Sequence, residues 1–142
     1  MRRGYTVLEL TLVLAIIGLL LGIAMPLFAP LRDSLAAEEA AQAVVAAHRR
    51  ARIAAILMSR PLVLTVAPDS LRIATASDSV VWRSAGPAAM GATLAGPVRK
   101  LTFSPVGLTT GLSNATFQIS RGAAIRSVVV SRLGRVRIRR GS

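Results

Sequence analysis

From Leu10 to Phe28 nearly every side chain is apolar, a run of 19 residues. That is about the length a helix needs to cross a bilayer, and this run limits what the chain can fold into more than any other stretch. Glu9 stands at its edge, where a carboxylate carried to the bilayer centre costs roughly 2.5–3.5 kcal/mol on insertion scales. Arg2 and Arg3 precede the run, and such a basic flank favours the cytoplasmic side. A cleavable secretory signal has a short apolar region and a small-residue site after it. Here no A-x-A-like site follows, and the chain continues through the helix-forming "MPLFAPLRDSLAAEEAAQAVVAAHRRARIAAILMSR". A plain signal anchor accounts for the run and for Arg2 and Arg3, but not for Glu9.

The stretch "RRG-YTVLEL" resembles the type III signal of type IV pilins and type II secretion pseudopilins. In that family a short basic leader ends in Gly. The prepilin peptidase, a membrane aspartyl protease, cuts after that Gly and methylates the new N-terminus, and a Glu follows at the fifth mature position. The resemblance implies cleavage between Gly4 and Tyr5, with Glu9 as the fifth residue after the cut. Tyr5 replaces the usual Phe but stays aromatic, and Pro26 matches a proline common in the family. The resemblance also gives Glu9 a role in assembly. The carboxylate of one subunit meets the N-terminal amine of a neighbour, offsetting part of the desolvation of both charges.

One helix is expected from about Tyr5 to Met58, bent or loosened at Pro26 and Pro30, since each proline removes an i→i−4 hydrogen bond. Beyond Pro30 it becomes amphipathic. Leu31, Leu35, Ala40, Val44, Ala47, Ala51, Ala54 and Leu57 form a candidate apolar stripe at helical spacing. Arg32, Glu38, Glu39, Arg49, Arg50 and Arg52 are expected mostly outside it. "HRRAR" (48–52) suits a solvated helix face or a polyanion site. His48 is the only histidine and Cys is absent, so the residues give no disulfide framework, metal-ligand set or Cys nucleophile. No Ser/His/Asp or paired-carboxylate arrangement suggests an enzyme, and no cofactor is expected.

From Pro61 the pattern switches to period two. "PLVLTV", "LRIAT", "SVVWR", "VRKLTF", "ATFQIS", "IRSVVVS" and "RVRIR" are short, β-branched and bounded by turn residues. "RSAGPAAMGATLAGP" reads as a low-complexity loop, the place for mobility or a family-variable insertion, and Trp82, Phe103 and Phe117 as core. The fold class is therefore α+β: a long N-terminal transmembrane α-helix whose C-terminal half packs on an antiparallel β-sheet or small sandwich, in a type IV pilin-like arrangement. The divisions are a leader over 1–4, a transmembrane and filament-core helix over 5–30, its amphipathic half over 31–60 and a β domain over 61–142.

The charge is unevenly distributed. The net formal charge is +12, and the last carboxylate side chain is Asp78, so the C-terminal half is basic without internal neutralisation. That favours polyanions or anionic lipid. In "GRVRIRR", Gly134 suits a left-handed turn position. A strand from Arg135 places Arg135, Arg137 and Arg139 on one face at about 6.6 Å intervals, with Val136 and Ile138 on the other. Such a row suits a phosphate backbone.

"LTFSPVGLTTG", "ATFQIS" and "RSVVVSRLGRVRI" resemble the GspH/FimT branch of the family, with its F-x-P-x-G element and closing G-R-V-R. FimT-like minor pilins are associated with DNA capture during natural transformation through a C-terminal G-R-x-R motif. Gly134, Arg135 and Arg137 match it, and Arg139 and Arg140 extend it. GspH-type members are structural subunits of a type II secretion pseudopilus, and both readings stay open on sequence. The implied partners are other pilins or pseudopilins, the prepilin peptidase, inner-membrane lipid and, on the first reading, DNA without sequence preference. The implied location is the bacterial inner membrane, single-pass, with the C-terminal domain periplasmic and joined to an extracytoplasmic filament.

Overall fold

A computed structural model describes residues 5–110, 115–131 and 133–141. The chain divides into two compact units, 1–32 and 33–142.

The first unit is dominated by α1 (Val7–Leu27). Thr6 caps it, its hydroxyl accepting from the Glu9 backbone N–H at 3.2 Å, which satisfies one of the orphan donors of the first turn. None of its residues is buried. Its 21 residues extend about 31 Å at 1.5 Å per residue, and by length and composition it can cross a membrane. The single expected helix is in fact two, because α1 ends before Phe28 and α2 (Ala29–Leu57) begins after it. Pro26 and Pro30 lie four apart, so the interruption falls where Pro30 has no N–H to offer the Pro26 carbonyl. Phe28 instead donates back to Met25 at 3.3 Å.

The second unit holds the core. From Asp33 onward α2 packs on the β domain through Ala37, Ala40, Ala41, Val44, Val45, Ala47, His48, Ala51 and Ala55. Ala40, Val44, Ala47 and Ala51 of the expected stripe are buried in this face, whereas at its ends Leu35 and Leu57 are 62% and 79% exposed, Leu31 in the first unit is exposed, and Ala54 is half-buried. Alanine forms the seam, which keeps the helix backbone close to the strands and leaves no depth for the leucines. The helix stops at a Schellman turn. Ser59 has φ +47°, its N–H reaches the Ile56 carbonyl at 3.1 Å, and the Arg60 N–H reaches Ala55 at 3.2 Å; Pro61 follows.

Among the described residues, nine strands form two antiparallel sheets. They are β1 (Leu62–Val66), β2 (Ser70–Thr75), β3 (Val80–Ala85), β4 (Thr93–Ala95), β5 (Arg99–Phe103), β6 (Thr109–Thr110), β7 (Ala115–Arg121), β8 (Ala124–Val130) and β9 (Val136–Arg140). The orders are β3-β2-β1-β5-β6 and β4-β7-β8-β9. Alternate residues point inward, as a half-buried pleat requires: Leu62, Leu64 and Val66 on β1, Phe117 and Ile119 on β7, Val128 and Val130 on β8. These join the buried face of α2 in one cluster. Phe103 and Phe117 are core as expected, whereas Trp82 packs at its margin beneath the Arg50 guanidinium, 4.9 Å from the ring centroid.

The segment expected to be a low-complexity loop is built into the domain. Arg83–Ala85 end β3, Pro87–Met90 form a 3-10 turn and Thr93–Ala95 are β4, with Pro87, Ala92 and Leu94 buried. A Cβ on Gly86 would lie 2.5 Å from the Pro68 carbonyl oxygen and the Ser70 nitrogen, so only glycine lets the strand pass so close. Arg121 ties the segment down by donating to the Met90 carbonyl while pairing with Asp33 at 3.0 Å.

Candidate functional site

Two sets of candidate residues fall in the two units. In the first, Gly4 of the expected cleavage site lies outside the described residues. Tyr5 is exposed, and Glu9 sits exposed in the first turn of α1, where a negative charge complements the helix dipole. Among the described residues Glu9 has no ion-pair partner within the chain.

In the second unit the candidates sit on the β8–β9 hairpin. Gly134 adopts φ +70° and donates to the Ser131 carbonyl at 2.9 Å, while Ser131 donates to Arg135 at 2.8 Å. The Ser131 hydroxyl also accepts from the Arg135 N–H at 3.2 Å. This turn sets the register Val130↔Val136, Val128↔Ile138 and Ser127↔Arg139. The period-two expectation holds: Arg135, Arg137 and Arg139 are exposed, and Val136 and Ile138 pack against the core. The three arginines line a shallow cleft of about 330 Å³ with Val129, Ser131 and Leu133. β9 has a single neighbour, β8, and so forms an edge of its sheet.

Arg140 does not extend this row. It is paired across from Arg126 and lines a separate cleft with Ser34, Glu38, Ile138 and Arg126. Residues 139 and 140 have opposite parity along the strand, so they face opposite sides. Arg126, 7% exposed, is fully engaged there. Its Nε reaches the Glu38 carboxylate at 2.7 Å, one terminal nitrogen donates to the Ser34 hydroxyl at 2.9 Å and the other to the Ile125 carbonyl at 3.0 Å. The hydrogen bond from Arg126 holds the Glu38 carboxyl below the usual carboxylate range, against the opposing pull of burial; Gln42 and Arg140 assist.

Residues 33–142 carry fifteen basic side chains and five acidic ones. Three of the five carboxylates, Asp33, Glu38 and Asp78, are paired with Arg121, Arg126 and Arg72. Among the described residues none pairs with Arg135, Arg137 or Arg139.

The structure adds residues that the sequence placed elsewhere. Arg49 and Arg52 of α2 line a cleft of about 280 Å³ together with His48, Gly134, Arg135 and Arg137. A Cβ on Gly134 would lie 3.3 Å from the Gly107 carbonyl oxygen and 3.9 Å from the Arg52 guanidinium; one on Gly107 would lie 3.1 Å from Arg52 Nε and 2.8 Å from Ile56 Cδ1. Both glycines have positive φ, so the F-x-P-x-G loop and the β8–β9 turn close together over Arg52. His48 is 1% exposed, set edge-on to Phe103 with ring centroids 5.0 Å apart, and among the described residues neither ring nitrogen has a hydrogen-bond partner. Burial first, then the charges of Arg52 and Arg49, pull its pKa down to about 4. The available signal was the spacing of "HRRAR": positions 49 and 52 share a helix side, and 48 and 52 lie one turn apart. Which strand abuts that side is tertiary information.

Three comparisons place this geometry among known proteins. The family model described as "Type II transport protein GspH" matches residues 40–134. The pilin-like protein PilA1 of Thermus thermophilus is 34% identical over 155 residues, covering 96% of this chain and 98% of that protein. Crystal structures of the type IV minor pilin FimU of Pseudomonas aeruginosa, in two crystal forms, superpose with a TM-score of 0.58 each at 22% and 23% identity. They cover 72% and 80% of this chain and 91% and 92% of theirs. At that identity the likeness to FimU concerns the fold.

Proposed function

Because the chain belongs to the GspH family of type IV minor pilins and pseudopilins, we propose that it is a membrane-anchored filament subunit that also binds nucleic acid through the exposed arginines of β9. The observation that carries the second part is the contrast across the strand. Val136 and Ile138 dock on the core, while Arg135, Arg137 and Arg139 stand exposed with no carboxylate partner among the described residues. An unneutralised arginine row at strand spacing matches a phosphate backbone and reads no base edges, so binding is sequence-independent. In this reading the protein captures DNA for natural transformation.

The N-terminal part of the proposal is processing after Gly4, methylation of Tyr5 and pairing of Glu9 with a neighbour's amine. The subunit then stands single-pass in the inner membrane with its β domain periplasmic. Glu9→Ala should still enter the membrane and should fail to enter the filament, read by fractionation of sheared filaments. Mass spectrometry of the mature chain should start at Tyr5; any other start contradicts the processing.

The test of nucleic-acid binding is a salt titration with the full-length protein in nonionic detergent. Each neutralised phosphate contributes about −0.9 to the slope of log K against log salt on duplex DNA. Arg135→Ala, Arg137→Ala and Arg139→Ala together should flatten the slope by about 2–3 units. A second reading has its own support: the matched family is described as a type II transport protein, and arginines on an edge strand also block edge-to-edge pairing. Absence of binding to duplex and single strands at low salt would leave that structural pseudopilin role in its place.

A further inference from the structure

The cleft between α2 and the β8–β9 turn has walls from two distant parts of the chain. Arg49 and Arg52 come from the helix, Arg135 and Arg137 from the strand, with Gly134 at the turn and His48 beside them. Among the described residues no carboxylate lines it. The helix run "HRRAR" is divided between two surroundings: Arg50 lies over Trp82, whereas Arg49 and Arg52 turn to this cleft. Arg52 is held against the turn because Gly134 and Gly107 present no side chain there. The buried His48 ring has two nitrogens without partners among the described residues, an arrangement that leaves a neutral imidazole N–H unsatisfied unless an acceptor is supplied.

We propose that Arg49 and Arg52 of α2, with Arg135 just before β9 and Arg137 on it, together hold a phosphodiester group of a nucleic-acid strand in this cleft. The binding surface is then a helix–strand junction from which Arg139 continues along the sheet edge. This inference rests on the nucleic-acid reading above and goes beyond it by assigning contacts to the helix. Guanidinium forks from two elements can grip one phosphate from two directions, which a single strand face cannot do. The depressed pKa of His48, to which Arg52 and Arg49 both contribute, reports the same concentration of positive charge; Arg135 and Arg137 face the ring's cleft from β9, and Phe103 packs on it from β5. A phosphate oxygen there meets guanidinium charge from both the helix and the hairpin.

The experiment compares four full-length proteins in nonionic detergent, titrating a fluorescein-labelled duplex oligonucleotide by anisotropy across a salt series. Wild type should bind with a steep slope, Arg135→Ala/Arg137→Ala/Arg139→Ala should be flatter by about 2 units, one for the shared phosphodiester and one for the phosphate at Arg139, and Arg49→Ala/Arg52→Ala by up to about 1 unit. Arg49→Lys/Arg52→Lys should stay near wild type in slope, since lysine also neutralises the shared phosphate, and its binding separates lost contacts from lost folding. The proton signals of His48, the single imidazole of the chain, should move as oligonucleotide is added. No binding by wild type overturns the nucleic-acid reading and this inference together. Binding that depends on the β9 row but is unchanged in slope by Arg49→Ala/Arg52→Ala, with His48 unmoved, overturns the helix contacts alone. The same unchanged slope with reduced cross-linking to neighbouring filament subunits assigns the cleft to a protein partner and overturns the inference as well.

Discussion

Arginine occurs on both faces of the β8–β9 hairpin, and the two faces use it differently. On the core side Arg126 is enclosed and bonded to Glu38, Ser34 and the Ile125 carbonyl, fastening the first turns of the packed part of α2 to the sheet. On the outer side Arg135, Arg137 and Arg139 stand in water. A buried guanidinium holds structure together because its loss leaves a desolvated partner behind. An exposed one contributes little to folding and is free to meet an external anion. Residue type and hairpin are shared, so the face decides the role.

The comparison breaks most visibly on the inner face. Arg126→Ala should lower stability by about 2–3 kcal/mol, below the upper end for a buried pair because the Glu38 side chain is 39% exposed. That corresponds to a fall of roughly 10 °C or more in melting temperature for a domain of this size, read by circular dichroism. The triple alanine variant of the outer row should stay within about 0.5 kcal/mol of wild type.

Next in size is the acid response. The folded-state pKa of His48 is about 4 against an ordinary 6.5, so the folded protein binds fewer protons than the unfolded chain between those values. Its stability is therefore fully present above pH 6.5 and is lost as pH falls through 4, on the order of 3 kcal/mol in all. The Glu38 carboxyl, lowered by Arg126, adds a loss in the same direction at lower pH, beginning near its ordinary value. Urea unfolding at a series of pH values should show the upper step in wild type and a flat response there in His48→Leu. Smaller again is the Arg50–Trp82 stack. Arg50→Ala should cost about 0.5–1 kcal/mol, leave the DNA salt slope unchanged, and so mark the one arginine of "HRRAR" outside the cleft.

The strands were legible because alternation of Val, Ile, Leu and Thr with polar residues has no other common explanation; β1, β2, β3, β5, β7, β8 and β9 fall where period two puts them. The middle of the α2 face was legible as well, Ala40, Val44, Ala47 and Ala51 lying buried where helical spacing puts them; its ends were not, because alanine occurs all around this helix and cannot mark a side. Leu35 and Leu57 carried the weight of the stripe and lie outside. The 3-10 turn and β4 were hidden by Gly, Ala and Pro, whose order here depends on backbone packing at Gly86 and on burial of Leu94 rather than on any periodic pattern. At the site, parity alone separates Arg139 from Arg140, and extending the motif by composition overrode it. The approach of Arg49 and Arg52 to Gly134 spans some eighty residues of chain. It follows from how the helix seats on two sheets, which no local spacing encodes.

The most direct measurement sets binding against folding in one variant. Arg135→Ala/Arg137→Ala/Arg139→Ala, in the full-length chain, is titrated with duplex DNA across a salt series and melted alongside wild type. The account predicts a slope flatter by about 2–3 units and a melting temperature unchanged within a few degrees. Wild-type protein that fails to bind DNA at low salt, or a variant whose slope matches wild type, would contradict it.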